Sequence, residues 1–144
     1  MEKVEFIIYG SPKGKGRPRF SRRGQYVKTV TPTDTVNYEN LVKIEYGLQT
    51  DNYMFPEDAY LGMNIVAYYD IPKSTSKKKR VLMESNKIFP TKKPDIDNVV
   101  KIIADSLNKI AYKDDSQITD LTIKKRYSDK PRVEVEIYIV SGDE

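Results

Sequence analysis

Val4, Phe6 and Ile8 alternate with Glu5, Ile7 and Tyr9, and this period of two predicts a first strand that closes at Gly10. A short strand is expected around Tyr26 to Val30. Thr31-Pro32-Thr33-Asp34 then carries helix-start chemistry, with Thr33 or Asp34 as the capping residue. Tyr38, Leu41, Val42, Ile44 and Leu48 fall on one side of a 3.6-residue period, which predicts an amphipathic helix running to about Gln49. Residues 51–58 read as a loop, after which Leu61, Met63, Ile65, Ala67 and Tyr69 alternate as a central strand ended by Asp70-Ile71-Pro72. The Ser/Thr-rich start of residues 74–88 predicts a helix, and Pro90 to Pro94 must be irregular or extended because proline restrains its predecessor. In the next helix Ile96, Val99, Val100, Ile103, Leu107 and Ile110 share one face, and Asp97, Lys101, Asp105 and Asn108 share the other. A turn at 111–117 leads into strands at about Ile118 to Tyr127 and Arg132 to Val140, the latter with one buried face. The order β, α, β, α, α, β, β predicts an α+β fold, a single domain over residues 1–144 with helices packed on a mixed sheet.

Composition removes most enzyme classes. The 144 residues are 38% apolar and 32% charged, too apolar for a disordered chain and too charged for a membrane protein. Nothing approaches the roughly 18 consecutive apolar residues of a spanning helix, and MEKVEFIIYG lacks the basic-then-apolar pattern of a secretory leader. The expectation is a soluble, cytoplasmic protein with no membrane partner. Cysteine and histidine are both absent, which excludes disulfides, thiol nucleophiles, His-liganded zinc and any imidazole base. Catalysis, if present, must use carboxylates, lysine, hydroxyls and a hard metal.

Charge changes the picture again. Residues 11–28 hold seven cations and no acid, and residues 73–93 hold eight against Glu84 alone, so the rest of the chain has 10 cations against 20 acids. A negative body with two positive arms suits a polyanion, because each cation near a phosphate releases counterions and adds salt-sensitive affinity. Lys13, Lys15, Arg17, Arg19, Arg22 and Arg23 from the first stretch, and Lys77, Lys78, Lys79 and Arg80 from the second, are the candidate DNA contacts. Gly10, Gly14 and Gly16 would let the backbone approach a ligand closely. GSPKGKG lacks the spacing of a nucleotide-binding P-loop. Phe20, Tyr26 and Phe89 are candidates for stacking on an unpaired base.

The chemistry is best sought in KPDIDN (Lys93 to Asn98), Lys101 and KDDSQ (Lys113 to Gln117). If the helix starts near Asp97, that residue caps it and Lys101 lies one turn further on the same face. Two or three aspartates suit Mg²⁺, which takes one or two carboxylates and completes its shell with water and substrate phosphate. The N–H groups of the helix start would attract a phosphate oxygen. Asp114 and Asp115 are neighbours on the chain, so only one of them should converge with Asp95 and Asp97. The bland alternatives are an N-cap with acids in its first turn, a surface pair between Lys101 and Asp97 or Asp105, and an ordinary polar turn.

GSPKGKGRPRF (Gly10 to Phe20), TPTDTVNYE (Thr31 to Glu39), KPDIDNVVK (Lys93 to Lys101) with Asp105-Ser106-Leu107, and DDSQI (Asp114 to Ile118) together resemble the RusA-type Holliday-junction resolvases, in order and over nearly the whole chain. The resemblance implies a RusA-like fold and a homodimer that cuts four-way DNA junctions symmetrically with Mg²⁺, or Mn²⁺ in its place. It implies Asp95, Asp97 and Asp115 as metal-binding catalytic aspartates, Lys101 as the catalytic lysine, and Asp114 as an acid beside the site. Residues 50–92 carry no family signature. A non-catalytic DNA-binding protein, or a nuclease acting on flaps or forks, is the competing expectation.

Overall fold

A computed structural model describes residues 3–16, 19–23, 26–30 and 33–140, with the backbone alone described in 19–23 and 26–30. Arg17 lies outside the described residues, as do the side chains of Arg19, Arg22 and Arg23. The elements are β1 (Lys3–Tyr9), β2 (Arg19–Arg23), β3 (Tyr26–Val30), α1 (Thr33–Thr50), β4 (Leu61–Asp70), α2 (Lys77–Glu84), α3 (Ile96–Ser106), β5 (Ile118–Ser128) and β6 (Arg132–Ile139). The α+β reading holds: a four-stranded mixed sheet ordered β1-β6-β4-β5 is combined with three helices, and β2 and β3 form a separate antiparallel pair.

Strands β5 and β6 are consecutive in the chain but lie on opposite sides of β4, β5 parallel to it and β6 antiparallel. The parallel step from β4 to β5 needs a long crossover, which is where α2 and α3 reside. Alternating residues Val4, Phe6, Ile8, Met63, Ile65, Ala67, Val133, Val135 and Ile137 fill the core face of the sheet. Val99, Ile102, Ile103 and Leu107 of the α3 region sink into the same core, each with no exposed surface. The expected apolar face of α3 needs two adjustments. Ile102 joins it, whereas Ile96, in the first turn, is 44% exposed.

Helix α1 departs further from its sequence pattern. Thr35, Tyr38, Val42, Tyr46 and Thr50 are buried, while Leu41, Ile44 and Leu48 point outward, Leu48 with 76% of its surface exposed. The Tyr46 hydroxyl is satisfied inside, whereas that of Tyr38 is buried without a hydrogen-bond partner among the described residues. Tyr46 meets Phe6 edge-on at 5.1 Å, and its hydroxyl donates to the Tyr53 carbonyl at 2.6 Å. Gln49, the penultimate residue of α1, bonds both the N–H and the C=O of Ile7 at 2.8 Å, closing backbone groups that edge strand β1 would otherwise leave open. The helix starts at Thr33, so its capping position precedes Thr33, outside the described residues.

Chemical denaturation checks this burial pattern. Tyr46→Ala should remove roughly 3–5 kcal/mol of stability, as large aromatic truncations do. Leu48→Ala should change it by less than about 0.5 kcal/mol.

Candidate active site

The capping position of α3 lies two residues earlier than the sequence reading placed it: Asp95, not Asp97, occupies it. Asp95 is extended (φ −72°, ψ 160°) and makes no side-chain capping bond. Its carboxylate is therefore not committed to the helix, unlike that of an ordinary N-cap. Asp97 lies in the first turn. Both are exposed. Lys101 and Asp105 follow at four-residue intervals on the same face, and Lys101 is exposed with no ion pair among the described residues. The surface pair that a bland reading assigned to Lys101 is not formed.

The segment entering α3 is braced from the sheet. The Tyr69 hydroxyl donates to the Pro94 carbonyl at 2.6 Å. Lys125 Nζ donates to the Lys92 carbonyl at 2.7 Å and sits 4.9 Å from the centre of the Tyr69 ring. Burial, with the Asp95 charge adding to it, pushes the Tyr69 phenol up to about 12, so it remains a donor throughout the physiological range. Neither residue carried a motif signal; each is legible only once β4 and β5 are seen to run beside this loop.

The glycine-rich stretch also has a role inside the protein. A Cβ on Gly14 would lie 2.9 Å from Pro94 Cβ and 3.0 Å from Asn98 Cβ, so its missing side chain admits α3, not a ligand as the sequence suggested. Lys15 N–H donates to the Asn98 carbonyl and Gly16 N–H to Thr35 Oγ1. The Lys15 ammonium lies 2.6 Å from Glu39 and 3.5 Å from Asp105. Partial burial pulls its pKa down, but the two carboxylates outweigh that and the net shift is upward. Lys15 thus ties the basic arm to α1 and α3. Lys13 and the α2 cations Lys77, Lys78 and Lys79 are exposed, Arg80 partly so.

Asp114 and Asp115 separate as adjacent acids must. Asp114 caps a 3₁₀ turn, accepting from Ser116 N–H, and the Ser116 hydrogen bonds hold its carboxyl below the usual range. Gln117 completes the box from the other side and reaches the carbonyls of Pro56 and Ala59, so the fixed spacing of DDSQ is largely that of a turn. Asp115 faces α3: its N–H donates to Asn108 Oδ1 at 2.8 Å, and its carboxyl lies within hydrogen-bonding reach of Asp105. Partial burial, the Asp114 charge and Asp105 together push Asp115 above the ordinary carboxylate range.

The acids therefore form two groups, one at each end of α3. Asp95 and Asp97 stand at its start, and Asp105 and Asp115 meet near its end, with about 12 Å of helix rise from Asp97 to Asp105. Among the described residues of one chain, no cluster of three or more metal-ligating side chains converges. The donor chemistry nevertheless suits a hard divalent ion: all donors are carboxylate oxygens, and the close approach of Asp105 and Asp115 is one that a cation would relieve.

A two-layer α+β scaffold with carboxylates along one helix and cations on the flanking arms fits a phosphodiesterase more readily than a small-molecule enzyme. The comparisons agree. The endodeoxyribonuclease RusA family matches residues 9–138, and the chain belongs to that family. It is 40% identical to the uncharacterized protein YqaN of Bacillus subtilis (strain 168), over 99% of this chain and 100% of that protein. It is 32% identical to the crossover junction endodeoxyribonuclease rusA of Lactococcus phage r1t, over 89% of this chain and 83% of that protein. No helix among the described residues is long and apolar enough to cross a membrane.

Two measurements probe this geometry without an activity assay. Because the raised pKa of Asp115 means that its ionised form is disfavoured in the fold, Asp115→Asn should raise the melting temperature at pH 7 in chelator. Added Mg²⁺ should then stabilise the parent protein more than the variant. Tyr69→Phe leaves the Pro94 carbonyl without its donor and should cost about 1 kcal/mol. It should also speed amide exchange at Val99, whose N–H bonds the Asp95 carbonyl in the first turn.

Proposed function

We propose that the protein is a metal-dependent endonuclease that resolves four-way DNA junctions by paired nicks, acting as a homodimer in recombination and repair. The observation that supports this best is the polar stripe of α3: two carboxylates at its start, an unpaired lysine at its middle, and a carboxylate pair near its end. Asp95, Asp97 and Asp115 are the proposed ligands of Mg²⁺ or Mn²⁺, with Asp105 beside Asp115. When bound, such an ion polarises the phosphoryl oxygens and lowers the pKa of the attacking water, which removes the need for a histidine base. Lys101 would neutralise charge accumulating on the phosphoryl group. Lys13, Arg17, Arg19, Arg22, Arg23, Lys77, Lys78, Lys79 and Arg80 would hold the arms of the junction through their phosphates, an orienting contact without base readout.

The division of the acids supports the dimer reading. Two helices related by a two-fold axis and running antiparallel would set the Asp95 and Asp97 end of one copy against the Asp115 end of the other. Two equivalent sites would follow, matching the two strands that a symmetric junction requires to be cut. In this scheme neither site is complete without the second copy.

Gel analysis of a synthetic four-way junction with Mg²⁺ tests both statements. The parent protein should convert the junction to nicked duplexes, whereas Asp97→Asn and Asp115→Asn should each bind the junction without cutting. Mixing these two inactive variants should restore single nicks, because one mixed-dimer site then carries both lesions and the other none. Equal cutting by the parent and Asp97→Asn would overturn the site. Preferential cutting of flaps or forks would replace the junction as substrate.

A further inference from the structure

One end of the sheet holds a set of cation–aromatic contacts that lies outside the carboxylate stripe. Lys125 faces Tyr69 at 4.9 Å, Lys92 faces Tyr127 at 6.0 Å, Arg126 faces Phe89 at 4.8 Å and Arg132 faces Tyr68 at 4.0 Å. Contacts of this kind occur about once per 70–80 residues, so a chain of this length would hold about two, scattered. Here four gather around the C-terminal ends of β4 and β5 and the loop ahead of α3, which directs attention to a surface and not to a chance pair.

The four contacts are not equivalent. Tyr69 is buried and Lys125 is bonded to the Lys92 carbonyl, so that pair is part of the brace already described. Arg132 is held by Glu134 at 2.8 Å. Phe89 and Arg126 differ from both. Phe89 leaves 48% of its surface exposed even though a guanidinium covers part of it, and Arg126 makes no ion pair among the described residues. Cations are close along the chain: Lys92 and Lys93 follow in the same loop, and exposed Lys77, Lys78 and Lys79 lie on α2, which packs against β5. Glu84 and Asp129 line the cavity beside Tyr68 and Tyr127.

We propose that Phe89 and Arg126 form a stacking platform for an unpaired nucleobase, with Lys92, Lys93 and the α2 cations taking the flanking phosphates. Exposed aromatic faces among unneutralised cations are what single-stranded nucleic acid recognises, since every base offers a π-face and every linkage an anion. The platform is firmly related to the candidate site. Six residues separate Phe89 from Asp95, a span of at most about 21 Å, and the connecting segment is fastened at the carbonyls of Lys92 and Pro94. Resting on the nuclease reading, the inference places the unpaired nucleotides of a branch point within a few residues of the strand to be cut.

Fluorescence anisotropy in chelator, with a labelled oligo(dT) single strand and a blunt duplex of equal length, provides the test. Phe89→Ala should weaken single-strand binding roughly 5- to 150-fold, the range for loss of one base–aromatic stack, while Phe89→Trp retains it. Duplex binding by Phe89→Ala should change less than about twofold, since phosphate contacts are untouched. Arg126→Gln, which keeps the stem but not the charge, should weaken single-strand binding as well. Equal single-strand affinity for Phe89→Ala and the parent would overturn the platform, as would an equal loss on duplex. The two readings fail separately: a parent that cuts no DNA but loses single-strand binding on Phe89→Ala keeps the platform without the nuclease, and a parent that cuts while Phe89→Ala binds normally does the reverse.

Discussion

Helix α3 can hold Asp97, Lys101 and Asp105 out to solvent only because Val99, Ile102, Ile103 and Leu107 are anchored in the core behind them. Four fully buried aliphatic side chains fix the rotation of the helix about its axis, and the 3.6-residue period then determines which residues face outward. The same anchoring fixes the length over which charge is displayed. Because α3 is a stiff rod, its two acidic ends cannot fold onto one another, and any site that uses both must recruit the second end from elsewhere. This constraint, more than any single contact, directs the proposed mechanism toward a two-fold assembly.

The family motifs turn out to be interlocking parts whose roles are mostly architectural. Gly14 has no side chain because Pro94 and Asn98 occupy its place. Thr35 and Glu39, one turn apart on α1, receive Gly16 and Lys15 from the basic arm. Asp114 and Gln117 fold their own turn and leave Asp115 facing Asp105. Around α3 the residues converge from four separate segments, and the acids left uncommitted by this framework are those to which the chemistry is assigned. A carboxylate engaged in a capping box is a poor metal ligand; one at a capping position with no capping bond, like Asp95, is a better one.

The two faces of the sheet divide the work differently. The covered face is apolar and carries α1 and α3, so it sets stability. On the other face Glu5, Glu134 and Glu136 gather beside Asn64, whereas Lys124 and Arg126 occupy the β5 side, registered opposite Val66 and Tyr68. An acidic half and a cationic half on this face would orient a polyanion before any specific contact forms.

Much of this was legible in the sequence. Alternation located β1, β4 and β6 to within a residue or two, and the absence of histidine and cysteine left carboxylates and lysine as the available chemistry. The aspartates and Lys101 stood out because helical spacing is a local property, visible along the chain. The buried face of α1 was legible only in Tyr38 and Val42; Tyr46 is buried through a bond to Tyr53 and a contact with Phe6 that no periodicity encodes. The insertion of β4 between β5 and β6, the internal role of Lys15, and the brace from Tyr69 and Lys125 were not legible. These depend on which distant segments lie side by side, and a chain's local pattern specifies the faces of its elements but not the neighbours those faces will meet.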